Sequence, residues 1–217
     1  MLNKKSDIYN LVLIVCAFLI TIALYNKLPD LVPIHWNISG EIDKYGTKIL
    51  GAFMVPVIMM LTWFGMKYLP KIDPKKNNYE RFEKSYSIIV SSLMTFFLVL
   101  HVVILSASMG YKVSIDTIVP SIVGILLIII GNYLPKSKSN YFYGIKTPWT
   151  LSSEISWRKT HRLGGKLFII SGIIIILSSF LLDGNIKVAI IMVTIFTAAI
   201  VPTIASYFYA KKDKSKI

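Results

Sequence analysis

The sequence contains little cysteine and few acidic residues. The one cysteine, Cys16, lies in an apolar run, which excludes an intrachain disulfide framework and a cysteine metal cluster. Asp and Glu number 11 against 24 Lys and Arg, and the formal net charge is +13. In a soluble protein this excess would suggest a nucleic-acid partner, but only 16% of the residues are charged and 54% are apolar. We therefore expect the charge to follow membrane topology, without direct nucleic-acid binding.

The motifs of common enzyme classes are also missing from the sequence. It contains no HExxH metal motif, no GxxxxGKS or GxxxxGKT phosphate loop and no GxSxG nucleophile elbow. Its three histidines, at positions 35, 101 and 161, are far apart in the chain. The sequence therefore predicts a protein that is not an enzyme and that has no cofactor and no bound metal.

The apolar residues are gathered into six continuous blocks. Each block is long enough to cross a bilayer as a helix, although the fifth is short for this. A helix satisfies its own backbone hydrogen bonds in lipid, and continuous rather than alternating apolar runs favour helices over a barrel. We predict an all-α polytopic membrane protein that forms a single membrane domain over residues 1–217. The predicted spans cover 8–25, 49–69, 86–109, 115–134, 167–182 and 188–209.

The distribution of Lys and Arg predicts the orientation of these spans. With the N-terminus inside, the inner segments hold 19 of the 24 basic residues and the outer segments hold five. This asymmetry is the positive-inside signal of plasma-membrane proteins, and six spans then place both termini in the cytoplasm. The first inner loop, 70–85, reads as a solvated connector with a turn at Asp73-Pro74.

The first outer loop, 26–48, is predicted to be a compact folded cap. A short strand is expected near 34–37, with one turn at Ser39-Gly40 and a second over 43–46. Asp30, His35, Glu41 and Asp43 offer oxygen and nitrogen ligands for a metal, or they simply solvate the cap. The candidate recognition residues of this outer cap are His35, Trp36, Asn37 and Asp43.

The large inner loop, 135–165, combines two tryptophans with a basic cluster between two apolar runs. A short helix is predicted over 153–163, with Ser152 as its N-cap and Gly164-Gly165 as its stop. Two explanations stay open, a helix that lies among lipid headgroups and a surface that binds a partner protein. The candidate recognition residues are Tyr141, Tyr143, Trp149, Trp157, Arg158, His161 and Arg162.

His101 is the titratable group placed deep in the third apolar block. An ionisable residue within a span is by default a candidate functional residue. No Asp, Glu, Lys or Arg lies deep in another predicted span to complete a proton or ion relay. We therefore expect a neutral histidine that is hydrogen-bonded to a Ser or Thr of a neighbouring helix.

Two groups of motifs resemble known families. The outer loop resembles the DUF1648 domain in its segments PIHWN (33–37) and GEIDKYG (40–46). The inner loop and its flanks resemble the SdpI/YfhL family of immunity proteins in the segments GNYLPK (131–136), NYFYGIKTPWTL (140–151) and WRKTHRLGG (157–165). The DUF1648-like part is expected over 1–70 and the SdpI-like part over 115–209.

The resemblance implies a six-span plasma-membrane protein that protects a bacterium from a secreted toxic peptide. It also implies, for some members, signalling by a cytosolic repressor protein that is held at the membrane. The residues by themselves leave two rival functions open. One is a small carrier or exporter that uses His101 and a cavity in the bundle. The other is a metal-dependent membrane enzyme that uses His35, Asp43 or His161.

Overall fold

A computed structural model describes residues 2–37 and 40–214, and within them it contains six helices long and apolar enough to cross a membrane. This confirms the predicted six-span, all-helical fold. A short helix, α5, precedes the fifth span. The helices are α1 (Lys4–Leu24), α2 (Lys48–Ile72), α3 (Glu83–Ser108), α4 (Ile115–Tyr133), α5 (Pro148–Ser152), α6 (Glu154–Leu181) and α7 (Gly184–Lys214).

The six long helices pack as two groups of three. α1, α2 and α3 form one half-bundle, α4, α6 and α7 form the other, and α3 contacts α4 between them. Ala17, Met59 and Met94 lie in the core of the first half-bundle and are fully buried. Because successive spans run in opposite directions, the loops gather into an inner end and an outer end. We use these two names in the sense of the predicted topology.

Close contact between α4 and α6 holds the second half-bundle together. A Cβ atom on Gly165 would lie 2.6 Å from the carbonyl oxygen of Gly131, and one on Gly172 would overlap the carbonyl oxygen of Gly124. Small residues let helix backbones approach closely in lipid, where van der Waals packing replaces the hydrophobic effect as the driving force. These glycines lie within α6, which runs unbroken from Glu154 to Leu181.

The segment predicted to be a short helix is helical, but both of its predicted ends were wrong. The separate short helix over 153–163 is the first part of α6, and Gly164-Gly165 does not stop it because this glycine pair packs inside the helix bundle. The N-cap is Ser153, whose side chain accepts a hydrogen bond from the amide of Ser156, and not Ser152. The predicted fifth span, 167–182, is consequently the outer part of a helix that extends inward to Glu154.

The outer loop folds into an antiparallel β-hairpin of β1 (Leu31–Trp36) and β2 (Ile42–Thr47). The predicted strand near 34–37 is thus present, but the turn predicted over 43–46 was wrong, since these residues belong to β2. The predicted turn at Ser39-Gly40 falls partly outside the described residues, because Ser39 is not among them. Gly40 has φ +78° and packs against Asp116 at the start of α4. The tip of the hairpin therefore reaches from the first half-bundle to the second.

Candidate functional sites at the two ends

Asp73 organises the inner end. Its side chain is 2% exposed and accepts hydrogen bonds from the Tyr141 amide at 2.8 Å, the Lys75 amide at 2.7 Å and the Tyr79 hydroxyl at 3.1 Å. The Tyr79 hydroxyl also lies 3.0 Å from Oδ1 of Asn140. A buried carboxylate is tolerated when such donors replace its water. The first inner loop is therefore folded against the second, and the prediction of a solvated connector was wrong.

Lysine and asparagine side chains strengthen this contact between the two inner loops. Lys75 donates to the Ser139 hydroxyl at 2.7 Å and to the Leu151 carbonyl at 3.3 Å, and the Asn78 amide donates to the Ser139 carbonyl at 2.8 Å. Sequence reasoning missed Asp73 as a structural centre because it read Asp73-Pro74 only as a turn. The signal was an acidic residue with lysines close by on both sides, Lys71 before it and Lys75 and Lys76 after it.

Trp157 and His161 stack inside the inner end, with ring centroids 4.0 Å apart, and both are fully buried. The indole of Trp157 donates to the Ser137 carbonyl at 3.1 Å. The Ile145 amide donates to Nε2 of His161 at 3.0 Å, which assigns the proton to Nδ1 and directs it to the Trp157 carbonyl at 2.7 Å. These two candidate recognition residues thus hold the loop in shape.

The turn beside His161 requires glycine. Gly144 has φ +111°, a conformation that L side chains rarely adopt, and a Cβ atom there would meet Nε2 of His161. Tyr143, the neighbouring candidate, packs against Phe82 and Tyr86. Burial raises the pKa of Tyr143 above its usual range. The loop is therefore a packed structure, and its aromatic residues are divided between interior and surface.

Four of the candidate recognition residues face outward at the inner end. Tyr141 is 42% exposed and Trp149 is 38% exposed, and the Trp149 ring meets Tyr207 edge to face. Arg158 and Arg162 are exposed one turn apart on α6. Glu154 stands four residues before Arg158 on α6, but in the described part of the chain the two side chains do not form an ion pair. Both guanidinium groups are available to an outside partner.

The outer cap brings His35 and Asp43 together across the hairpin. Nδ1 of His35 lies 2.6 Å from Oδ1 of Asp43, and both side chains are exposed. Asn37 donates to Glu41 at 3.1 Å at the hairpin tip, whereas Trp36 packs against the core of the first half-bundle. Among residues 2–37 and 40–214, no three His, Cys, Asp or Glu side chains are grouped as a metal site.

His101 is fully buried between the helices of the first half-bundle. Its Nε2 lies 2.8 Å from the Thr21 hydroxyl of α1, so the predicted hydrogen bond to a neighbouring helix is confirmed. The Thr21 hydroxyl also reaches the Ala17 carbonyl at 2.9 Å. A second polar pair was missed at the outer end, in which Lys187 of α7 forms an ion pair with Asp116 of α4 at 2.8 Å.

Comparison with known proteins identifies two matching families. The model of the SdpI/YfhL protein family matches residues 136–208, and that of DUF1648, a domain of unknown function, matches residues 12–60. The chain is 32% identical over 208 residues to the immunity protein SdpI of Bacillus subtilis (strain 168), covering 96% of this chain and 97% of that protein. It is 33% identical over 48 residues to the uncharacterized membrane protein YbgB of the same organism, covering 22% of this chain and 53% of YbgB. No solved structure matches it.

Proposed function

Because this chain belongs to the SdpI/YfhL protein family, we propose that it is a membrane immunity protein that protects a bacterium from a secreted toxic peptide. The chain is an integral plasma-membrane protein with six spans. One observation carries the proposal, the 32% identity to an immunity protein that extends over 96% of the chain. The similarity therefore includes both loop-bearing ends as well as the spans.

The experiment that tests immunity is a survival assay. The full chain is expressed in a toxin-sensitive bacterium, which is then grown beside a producer of a secreted toxic peptide. We expect survival to rise relative to an empty-vector strain. A matched strain carries an unrelated six-span protein at equal membrane abundance, to exclude protection by membrane crowding. Equal killing of all three strains, over a panel of producers, would contradict the function.

We place the toxic peptide at the outer end and a cytosolic repressor protein at the inner end. The support for the first is the outer cap, where His35 and Asp43 are exposed beside the bilayer. The support for the second is the exposed group of Arg158, Arg162 and Trp149, next to a rigid packed loop. A bilayer separates the two ends, so protection and signalling use different surfaces.

Arginine chemistry distinguishes a protein partner from lipid headgroups. A guanidinium makes planar, bidentate contacts that an ammonium does not reproduce, whereas a headgroup attracts either cation by about 1 kcal/mol. Loss of one buried bidentate contact costs roughly 2–5 kcal/mol, or about thirty-fold or more in affinity. We expect Arg158→Lys and Arg162→Lys to impair reporter induction by the repressor while survival under toxin stays close to wild type.

The matched control for these variants is Lys159→Arg on the next face of the same helix, which retains its charge. Reporter induction and survival are measured for every variant at equal membrane abundance. A parallel fall of both outputs in each arginine variant would mean that this segment holds the bundle in its working shape. We further propose that protection involves no catalysis. Turnover of the toxic peptide into fragments by the purified protein would contradict this.

A further inference from the structure

A cavity of about 760 Å³ lies at the outer end between the two half-bundles. α2 and α3 form its walls on one side, α4 and α7 form them on the other, and the hairpin covers it. Its volume is within the ~300–1,000 Å³ range of ligand sites in proteins. The side chains that line its walls are mostly apolar and include Ile58, Phe97, Leu100, Val119, Ile191 and Met192.

The polar groups of the cavity are confined to its outer rim. The hairpin contributes His35, Asn37 and Asp43, and the starts of α4 and α7 contribute Asp116 and Lys187. Lys187 is built into the wall, since its side chain is 5% exposed and lies 2.8 Å from Asp116. A cavity with apolar walls and a charged outer rim fits a ligand that has a long apolar part and a polar or charged group at one end.

The charges of the rim distinguish between a phospholipid and an apolar ligand that carries a cationic group. The lining contains two carboxylates, Asp43 and Asp116, against the single ammonium of Lys187. That ammonium is paired with Asp116, and the carboxylate of Asp43 accepts a hydrogen bond from His35 at 2.6 Å. With histidine counted as neutral, the carboxylate of Asp43 is therefore the excess charge of the rim. This negative charge would repel the phosphate of a phospholipid, whereas it would attract a cationic group.

We infer that this cavity binds an apolar peptide segment that carries a positive charge at its outer end. The inference rests on the proposed immunity function, because it assigns the site at which the toxic peptide is held. The apolar part of the peptide lies between α2 and α7, and its cationic group meets Asp43 beneath the hairpin. Binding thereby withdraws the peptide from the bilayer surface.

The test measures binding to the purified full chain in dodecyl maltoside micelles. The probe is an acetylated, dansylated leucine–alanine peptide with a single lysine at its first position, and a matched probe has glutamate there. We expect the lysine probe to bind about fivefold or more tightly than the glutamate probe, as one unscreened charge contact predicts. In Asp43→Asn this preference should disappear. Equal affinity of the two probes for the wild-type protein would overturn the inference.

The second part of the binding test fills the cavity with large side chains. Ile191→Trp and Val119→Trp fill it from two helices, α7 and α4, and Val193→Trp places the same bulk on an exposed face of α7. We expect the two filling variants to bind the lysine probe about tenfold more weakly and the control to bind like wild type. Monodisperse elution of each variant establishes folding. Wild-type affinity in a folded filling variant, or displacement of the probe by phosphatidylglycerol at equal concentration, would overturn the inference.

Survival assays separate this inference from the proposed function. If the wild-type chain protects cells and the folded filling variants protect them equally, the cavity is not the site of the toxic peptide, although immunity stands. If the wild-type chain gives no protection, immunity fails by itself. The probe measurements on purified protein then still decide whether the cavity binds cationic apolar peptides.

Discussion

Replacement of Asp73 by asparagine tests whether the two inner loops form one structure. The substitution keeps the size of the side chain but turns one acceptor oxygen into an NH2 donor. The Tyr141 and Lys75 amides and the Tyr79 hydroxyl all donate to this carboxylate, so at least one donor loses its partner. A buried donor without a partner costs about 1–3 kcal/mol. We therefore expect the loop contact to weaken by that amount.

Limited trypsin cleavage after Lys75 measures this change. The ammonium of Lys75 is held by Ser139 and Leu151, so the protease reaches it only when the loops separate. Cleavage then follows the open population, and 1–3 kcal/mol corresponds to roughly 5- to 150-fold faster cleavage in Asp73→Asn.

The control is Glu80→Gln, an exposed acidic residue of the same loop, which should be cleaved within about twofold of the wild-type rate. Cleavage of Asp73→Asn at the wild-type rate would refute the view that Asp73 joins the loops. It would mean that the two loops separate independently of this carboxylate.

The remaining predictions concern topology, the outer cap and the helix contact. In a cysteine-free background, Lys44→Cys should react with an impermeant maleimide from outside intact cells and Lys138→Cys should not; labelling of both would contradict the proposed orientation. Trp36→Ala should lower survival under toxin at unchanged membrane abundance, and unchanged survival would assign the hairpin a structural role alone. Gly165→Leu should destabilise the bundle by about 3 kcal/mol or more, because its Cβ would lie 2.6 Å from a backbone oxygen of α4. Gly65→Ala is the control, since its Cβ would lie 3.7 Å from Cδ1 of Leu69, an ordinary van der Waals distance. Equal thermal stability of the two variants would count against the close helix contact.

The sequence by itself determined the features that depend on one segment at a time. Six spans could be predicted because each must be apolar and long enough to satisfy its backbone within the bilayer. The bond of His101 to a neighbouring helix was predictable because a lone polar group in lipid needs a partner. The quoted segments of the two loops sufficed to indicate the family.

Tertiary structure alone decided which polar residues lie inside and which lie outside. Trp149 and Trp157 occur in similar surroundings along the chain, yet one is 38% exposed and the other is buried against Ser137. Gly165 reads as a helix stop until α4 lies against it, because only a neighbouring backbone distinguishes a packing glycine from a terminating one. Asp73 likewise looks like a turn residue until the second inner loop supplies its donors. Each outcome depends on a partner at least 20 residues away along the chain, and local propensity contains no information about that partner.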